Sequence, residues 1–415
     1  MSTQKFLTWC EWSVYGALCL SILLLGVGRL DFGFWDLRMS AWSVSRTTLG
    51  FWVILKFIFV CRQGWPSVSR TALLPWAPLA SFFAIVTLSL LPDFRSAGDY
   101  RYLVFAVAHA VMIVDIFADT GRQRWLLLIL AVSPLVVVVR GFIDAPEVFN
   151  FALSYRFDYP LDHANTAGYL LAMSFPLAFY SARAAPGWHR WLAALSCLGQ
   201  ILALVLTYSR GAWLGWIAAM FFYGVATRQL KYLVVTLAVT ATCAVALPSL
   251  RQRVYSVARP RLDPSLSDRL RLAEDAFQLA LDHPILGVGY GRGRLKEALR
   301  SRYQGTLREN SLVLHTHNVY IELFAETGLL GLGTFLGLII STLWRLLHSA
   351  LTRSAPQRLA GIAIAASWTA AAVAGLGDIP FYHHEPRVFF FTLFALAYLY
   401  CRGSDTELSP KRLGR

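Results

Sequence analysis

Two ionisable clusters at the margins of apolar segments carry the chemistry that this sequence can offer. The first is Thr207-Tyr208-Ser209-Arg210-Gly211-Ala212-Trp213, where Arg210 falls in a very short turn between two apolar blocks. A guanidinium there suits a bound anion, because it is permanently charged and shaped to bridge two phosphate oxygens. It equally suits the blander role of an arginine snorkelling to a membrane interface. The second cluster is His315-Thr316-His317-Asn318, followed by an apolar block that contains Glu322 and Glu326. His317 offers an imidazole, a side-chain type able to act as a general base. Asn318, Glu322 and Glu326 share one helical stripe below it. Two acids stacked in an apolar helix are expensive, which argues for a role.

The elements that must hold these residues follow from composition. The chain has 415 residues, of which 56% are apolar and 15% charged, well below the charge of a soluble domain. The apolar residues fall in blocks at 14–30, 43–60, 73–91, 102–118, 125–139 and 164–181. A second set lies at 191–207, 212–226, 232–247, 323–346, 359–376 and 388–401. Each approaches the length that crosses a hydrocarbon core as helix, so about twelve spans are expected. Pro134, Pro176 and Pro248 are possible breaks or kinks. The first block reads as an uncleaved helix rather than a signal peptide, since one Lys5 precedes it and no clean cleavage site follows.

Charge orients the bundle. With a cytoplasmic N-terminus, the loops on that side hold Arg62, Arg70, Arg122, Arg124, Arg183, Arg190, Arg228, Lys231, Arg345, Arg353 and Arg358, opposed by few acids. The opposite short loops are mixed or acidic, with Asp93, Asp99, Asp144, Glu147, Asp158, Asp162, Asp378 and Glu385. The positive-inside rule then places both termini in the cytoplasm. Most of the net charge of +14 is explained by topology, and no nucleic-acid partner is needed.

The expected organisation is helices 1–9 over 1–250, a large periplasmic loop over 251–316, helices 10–12 over 317–401 and a cytoplasmic tail over 402–415. The loop is strongly basic and suits either an anionic ligand or anionic phospholipid. Leu266, Leu270, Ala273, Phe277, Ala280 and Leu281 recur at helical spacing opposite Asp268, Arg271, Glu274 and Asp275, which predicts an amphipathic helix ended by His283-Pro284. The run Gly287-Val288-Gly289-Tyr290-Gly291-Arg292-Gly293 is either a tight loop or a backbone cradle for phosphate. The six cysteines lie outside that loop, so no disulfide framework is expected. No C-x-x-C, H-E-x-x-H or D-x-D pattern is present, and no bound metal or cofactor is expected.

The ordered set TYSRGAWLG, SDRLRLAEDAFQLALDHPILGVGYG and HTHNVYIELFAETGLLG resembles the shared signature of the O-antigen ligase and polymerase superfamily. The stretch HANTAGYLLAMSFPLA, from His163 to Ala178, is similar to that family's earlier His-x-Asn element. The resemblance implies an all-α polytopic GT-C-like glycosyltransferase of the bacterial inner membrane, with a periplasmic active site. The ligase is the favoured member, moving polysaccharide from undecaprenyl pyrophosphate to lipid A–core without a metal and with inversion. The family's essential residues map to Arg210, Arg269 and His317, with Asn318, Glu322 and Arg271 beside them as substrate-binding candidates. The alternatives are an O-antigen polymerase, a protein O-oligosaccharyltransferase or, from another class, a lipid-linked glycan transporter.

Overall fold

The computed structural model describes residues 3–23, 29–32, 37–63, 73–91, 98–152, 154–161, 163–246, 248–249, 251, 255, 264–302, 315–379 and 382–407. Among them are fourteen α-helices and one small hairpin. Helix α1 is Thr3–Leu23, and strands β1 (Arg29–Phe32) and β2 (Leu37–Ser40) pair antiparallel with Leu30 opposite Met39. Then come α2 (Ala41–Gln63), α3 (Ala77–Leu90), α4 (Gly98–Ile116), α5 (Thr120–Asp144), α6 (Ala164–Ala184), α7 (Trp188–Leu206), α8 (Arg210–Ala226) and α9 (Lys231–Ala246). The chain continues with α10 (Pro264–Asp282), α11 (Arg292–Arg302), α12 (Val319–Leu351), α13 (Ala355–Ala374) and α14 (His384–Glu407).

Every apolar block falls on one of these helices, and α10 and α11 supply the helical content of the long loop. Among the described residues, four helical segments are long and apolar enough to cross a membrane: Val44–Cys61, Thr120–Asp144, Trp188–Leu206 and Val319–Leu351. Parts of the 251–316 loop, including Arg253, Arg259, Arg261 and Arg308, lie outside the described residues, as does the end of the tail. The hairpin departs from a purely helical expectation and takes Arg29 and Leu30 away from the first block. The cause is local, because charged and apolar residues alternate from Arg29 to Phe32 with the period of a strand. Pro134 and Pro176 sit inside continuous helices, which neighbouring helices make tolerable in a bundle.

Small residues set the tightest packing. Helix α8 lies on α13 and α6 on α7, α8 and α13. A Cβ on Gly215 would stand 2.7 Å from the Ala374 Cβ and 2.8 Å from the Ala370 carbonyl. Gly211 and Gly215 thus form a small-residue stripe that brings two backbones together, as membrane helices require in the absence of a hydrophobic drive.

Helix α10 forms where its amphipathic pattern predicts, but it buries a different face. Ala276, Leu279 and Ala280 pack with Leu295 and Leu299 of α11 against Phe324 and Ala325 of α12. Leu270, Phe277 and Leu281 stay exposed. Small side chains at 276 and 280 allow the closer approach, and that overrides the bulkier stripe next to them.

The glycine run resolves as structure rather than as a phosphate cradle. Its N–H groups are already used: Gly287 donates to His283 O at 3.0 Å, Val288 to Ala325 O at 2.9 Å and Gly289 to Glu326 O at 2.8 Å. Tyr290 N–H donates to Ser89 Oγ at 3.3 Å and Arg292 N–H to Asp99 Oδ2 at 3.1 Å. On the other side, α12 is broken at Gly328, where φ is 66° and ψ is −168°, and Leu329 N–H donates to Pro284 O at 2.8 Å. The two backbones nearly touch. A Cβ on Gly287 would lie 2.4 Å from Glu326 C, and one on Gly328 would lie 2.2 Å from Ile285 C.

Gly328→Ala therefore meets both a forbidden backbone conformation and an immovable neighbour, and should cost roughly 3 kcal/mol or more. Gly293→Ala is the control, because a Cβ there meets nothing within 4 Å. Thermal unfolding in detergent should separate the two variants clearly, and equal melting temperatures would refute the backbone-contact account.

Candidate active site

Helix α13 ends at Ala374, and the carbonyls of its last turn and the following loop need partners. Residues from three distant parts of the chain supply them. Tyr320 OH donates to Ala372 O at 2.6 Å and Tyr169 OH donates to Ala374 O. Val319 N–H donates to Gly375 O at 2.9 Å, and Asn318 Nδ2 donates to Leu376 O at 3.3 Å. Arg269 Nη1 donates to Gly377 O at 3.4 Å, a cation placed at the negative end of a helix dipole. Gly211, the residue after Arg210, packs on the same loop, since a Cβ there would stand 3.2 Å from Gly377 Cα.

Asp378 follows directly. Its Oδ1 lies 3.2 Å from His317 Nδ1 and also accepts the Ile379 N–H at 2.9 Å. Its Oδ2 accepts from Asn165 Nδ2. The orientation of that amide is set in turn, because Arg156 Nη2 donates to Asn165 Oδ1 at 2.9 Å while Arg156 Nε donates to Thr207 O at 2.8 Å. A carboxylate facing Nδ1 favours the tautomer that carries its proton there, which leaves the lone pair on Nε2. Burial alone would raise the Asp378 carboxyl. The His317 hydrogen bond and the charges of His317, His315 and Arg269 outweigh it and hold the group well below the usual carboxylate range.

His317 adopts φ of 51°, left-handed for a residue with a side chain. Strain of that kind costs on the order of 1–3 kcal/mol and persists only when the surroundings over-determine it. Here Thr316 N–H donates to Glu322 Oε2 at 2.7 Å, and Thr316 Oγ1 donates to Asn318 O at 2.8 Å. Asn318 Oδ1 caps α12 by accepting from Tyr320 N–H at 3.0 Å and Ile321 N–H at 3.2 Å. His315 is buried, with its ring centroid 3.8 Å from that of His317. Burial and then the neighbouring His317 pull the His315 imidazole down to about 3, against the opposing pull of Asp378. His163 stacks edge-on against His383 at 5.4 Å. The His383 imidazole is pulled down to about 4, first by burial.

Of the residues singled out from sequence, His317, Arg269 and the Arg210 turn converge on the 374–378 loop. Arg271 does not, being exposed two positions along from the half-buried Arg269. Asn318 and Glu322 make hydrogen bonds within the protein, and Glu322 is fully buried. Glu326, one turn further, accepts from Tyr382 OH and is equally buried. The sequence reasoning did not single out Asp378, Asn165 and Arg156 for the site. The only sequence signals were an acid directly after an apolar block and an asparagine two residues after His163. One further assembly has no motif: one ligand atom each from His315, His317 and Asp378 lies within 4.8 Å of the others. No standard metal motif predicts that set.

Residues 193–336 match the family model described as O-antigen ligase. No curated protein matches the chain. The matched segment contains Arg210, Arg269 and His317, while Asp378, Asn165 and Arg156 lie outside it. Several helices apolar enough for a bilayer, and a family match that spans the arginine and histidine motifs, make the chain an integral membrane protein whose residues 193–336 are similar to the O-antigen ligase family.

Proposed function

We propose that the protein transfers O-antigen polysaccharide from undecaprenyl pyrophosphate to a sugar hydroxyl of lipid A–core, at a site facing the periplasm. The observation that carries this reading is the His317–Asp378 pair at 3.2 Å, built on a loop that also receives Arg269 and the Arg210 turn. His317 Nε2 takes the proton of the acceptor hydroxyl as its oxygen attacks C1 of the donor sugar. The C1–O bond to pyrophosphate breaks, and the bonding electrons leave with the lipid diphosphate. Attack opposite the leaving group inverts C1. Diphosphate is already a good leaving group and needs charge neutralisation rather than a proton. Arg210 and Arg269 serve there, as permanently charged forks matched to phosphate oxygens. Asp378 acts through His317, orienting the ring and stabilising its cationic form. Asn318 and Glu322 are positioning residues that hold the histidine in its strained turn. The periplasmic placement rests on the arginine asymmetry of the loops.

Lipopolysaccharide profiling of a deletion strain tests the assignment directly. A ligase loss leaves bare core, with long polymer on the lipid carrier. Core carrying a single repeat would instead identify a polymerase.

Purified protein should retain transfer in excess EDTA, because fixed arginine charge replaces a metal at the diphosphate. Activity abolished by chelation and restored by Mg²⁺ or Mn²⁺ would overturn that account.

The roles of the side chains separate in variants assayed for both donor binding and transfer. His317→Ala should lower transfer by roughly 10²–10⁴ while donor binding persists. Asp378→Asn should lower transfer roughly 10²-fold or more with donor binding unchanged, and Asp378→Glu should recover part of it. Arg210→Ala should weaken donor binding, transfer or both. Arg210→Lys should rescue only partly, since the charge returns without the planar fork. A well-folded His317→Ala enzyme that transfers at the wild-type rate would remove the histidine from its role.

A further inference from the structure

The His315–His317–Asp378 cluster contains more metal-binding capacity than a proton-transfer pair requires. His317 and Asp378 suffice for the transfer mechanism. His315 takes no part in it, yet it lies buried against the His317 ring with its Nδ1 unpartnered among the described residues. A buried polar nitrogen with no partner is costly, and a lone pair enclosed beside a second imidazole and a carboxylate is a ligand set. We propose that His315, His317 and Asp378 form a site for a divalent transition metal ion, and that its occupancy shuts off transfer. The inhibitory half of this statement rests on the function proposed above.

The donor types select the metal. Two imidazoles and one carboxylate favour ions of the zinc, cobalt and nickel kind over magnesium or calcium, which prefer oxygen. Geometry permits it with a small adjustment. Ligand atoms around a tetrahedral zinc ion stand roughly 3.3 Å apart, given bonds of about 2.0–2.1 Å. The three here lie within 4.8 Å, so side-chain torsions need to close the set by up to about 1.5 Å. Access is through His317, whose side chain is 21% exposed, and the inner wall is Asp378 at 7%. A supporting shell is already built, because Asn165 holds the second carboxylate oxygen and Arg156 holds Asn165. Such partners orient the ligands of metal sites.

Occupancy and transfer exclude each other. The ion would bind the same imidazole and carboxylate that make the base, so His317 would no longer be oriented by Asp378 to accept a proton. Arg269, seated on Gly377 O next to Asp378, adds a fixed positive charge that weakens cation binding. These features describe a reversible inhibitory site rather than a structural metal.

The test uses the full-length protein in detergent, stripped with chelator and then dialysed. Cobalt(II) added alone should give the visible absorption of a tetrahedral site at one ion per chain, and zinc should displace it. Zinc should inhibit transfer, and EDTA should reverse the inhibition. In His315→Ala and His315→Gln the cobalt bands should vanish. The zinc concentration that halves each variant's own transfer rate should rise about 10²-fold. Absent cobalt bands in folded wild type, or zinc inhibition unchanged in both variants, would overturn the proposal. So would metal binding without inhibition, or stimulation of transfer by the ion. The cobalt measurement needs no substrate, so a failure of the site is distinguishable from a failure of the transferase reading.

Discussion

The loop from Gly375 to Asp378 is the constraint on which the rest of the site depends. A helix end packed among neighbouring helices leaves carbonyls that water cannot reach, and each must be met by protein. Here the donors come from α6, α10 and the start of α12, with the α8 glycines packed alongside. The requirement to satisfy these carbonyls is what gathers motifs scattered across the chain into one place. Asp378 then extends that requirement from backbone to side chain, because a buried carboxylate without partners is far costlier than an unmet carbonyl. His317, Asn165 and the Ile379 N–H together fill its acceptor positions.

A second buried layer holds the histidine from below. Glu322 fixes the Thr316 N–H, and Glu326 meets Tyr382. Tyr382 stacks on Tyr290 at 5.7 Å. Beside them the guanidinium of Arg292 lies over the Tyr382 ring and 3.6 Å from Asp99. Acids in an apolar helix are tolerated only where they face such internal partners. Their arrangement explains how a non-glycine residue keeps a left-handed backbone at His317. The loop has hydrogen bonds on both sides, and relaxing φ would break several of them at once.

The glycines do equally specific work. Gly287 and Gly328 let the long loop run in backbone contact with the broken helix α12, so that α10 and α11 are carried on the same helix that follows His317. Gly211 and Gly215 bring α8 onto α13, which keeps the Arg210 turn against the Asp378 loop. Both sets of glycines shorten distances between elements that bear charge.

The helices, their order, the amphipathic α10 and the residues Arg210, Arg269 and His317 were legible in the sequence. Each rests on local signals: apolar length, helical periodicity, and charge where a membrane margin makes charge expensive. The break at Gly328, the buried face of α10 and the sheet-like use of the glycine run were not, because they arise from contacts between segments far apart in the chain. Nor could sequence bring Asp378 and Asn165 to His317, or show that Arg269 and Arg271 sit in different surroundings. An aspartate after an apolar block looks like any loop acid until the fold brings it 3.2 Å from His317 across 61 positions. The two arginines differ only in that α10, docked through Ala276, Leu279 and Ala280, turns one toward Gly377 and leaves the other exposed. Composition and period determine which elements form and which residues are costly. Only tertiary structure determines which of those costly groups satisfy one another, because hydrogen bonding and charge pairing act over a few ångströms of space without regard to distance along the chain.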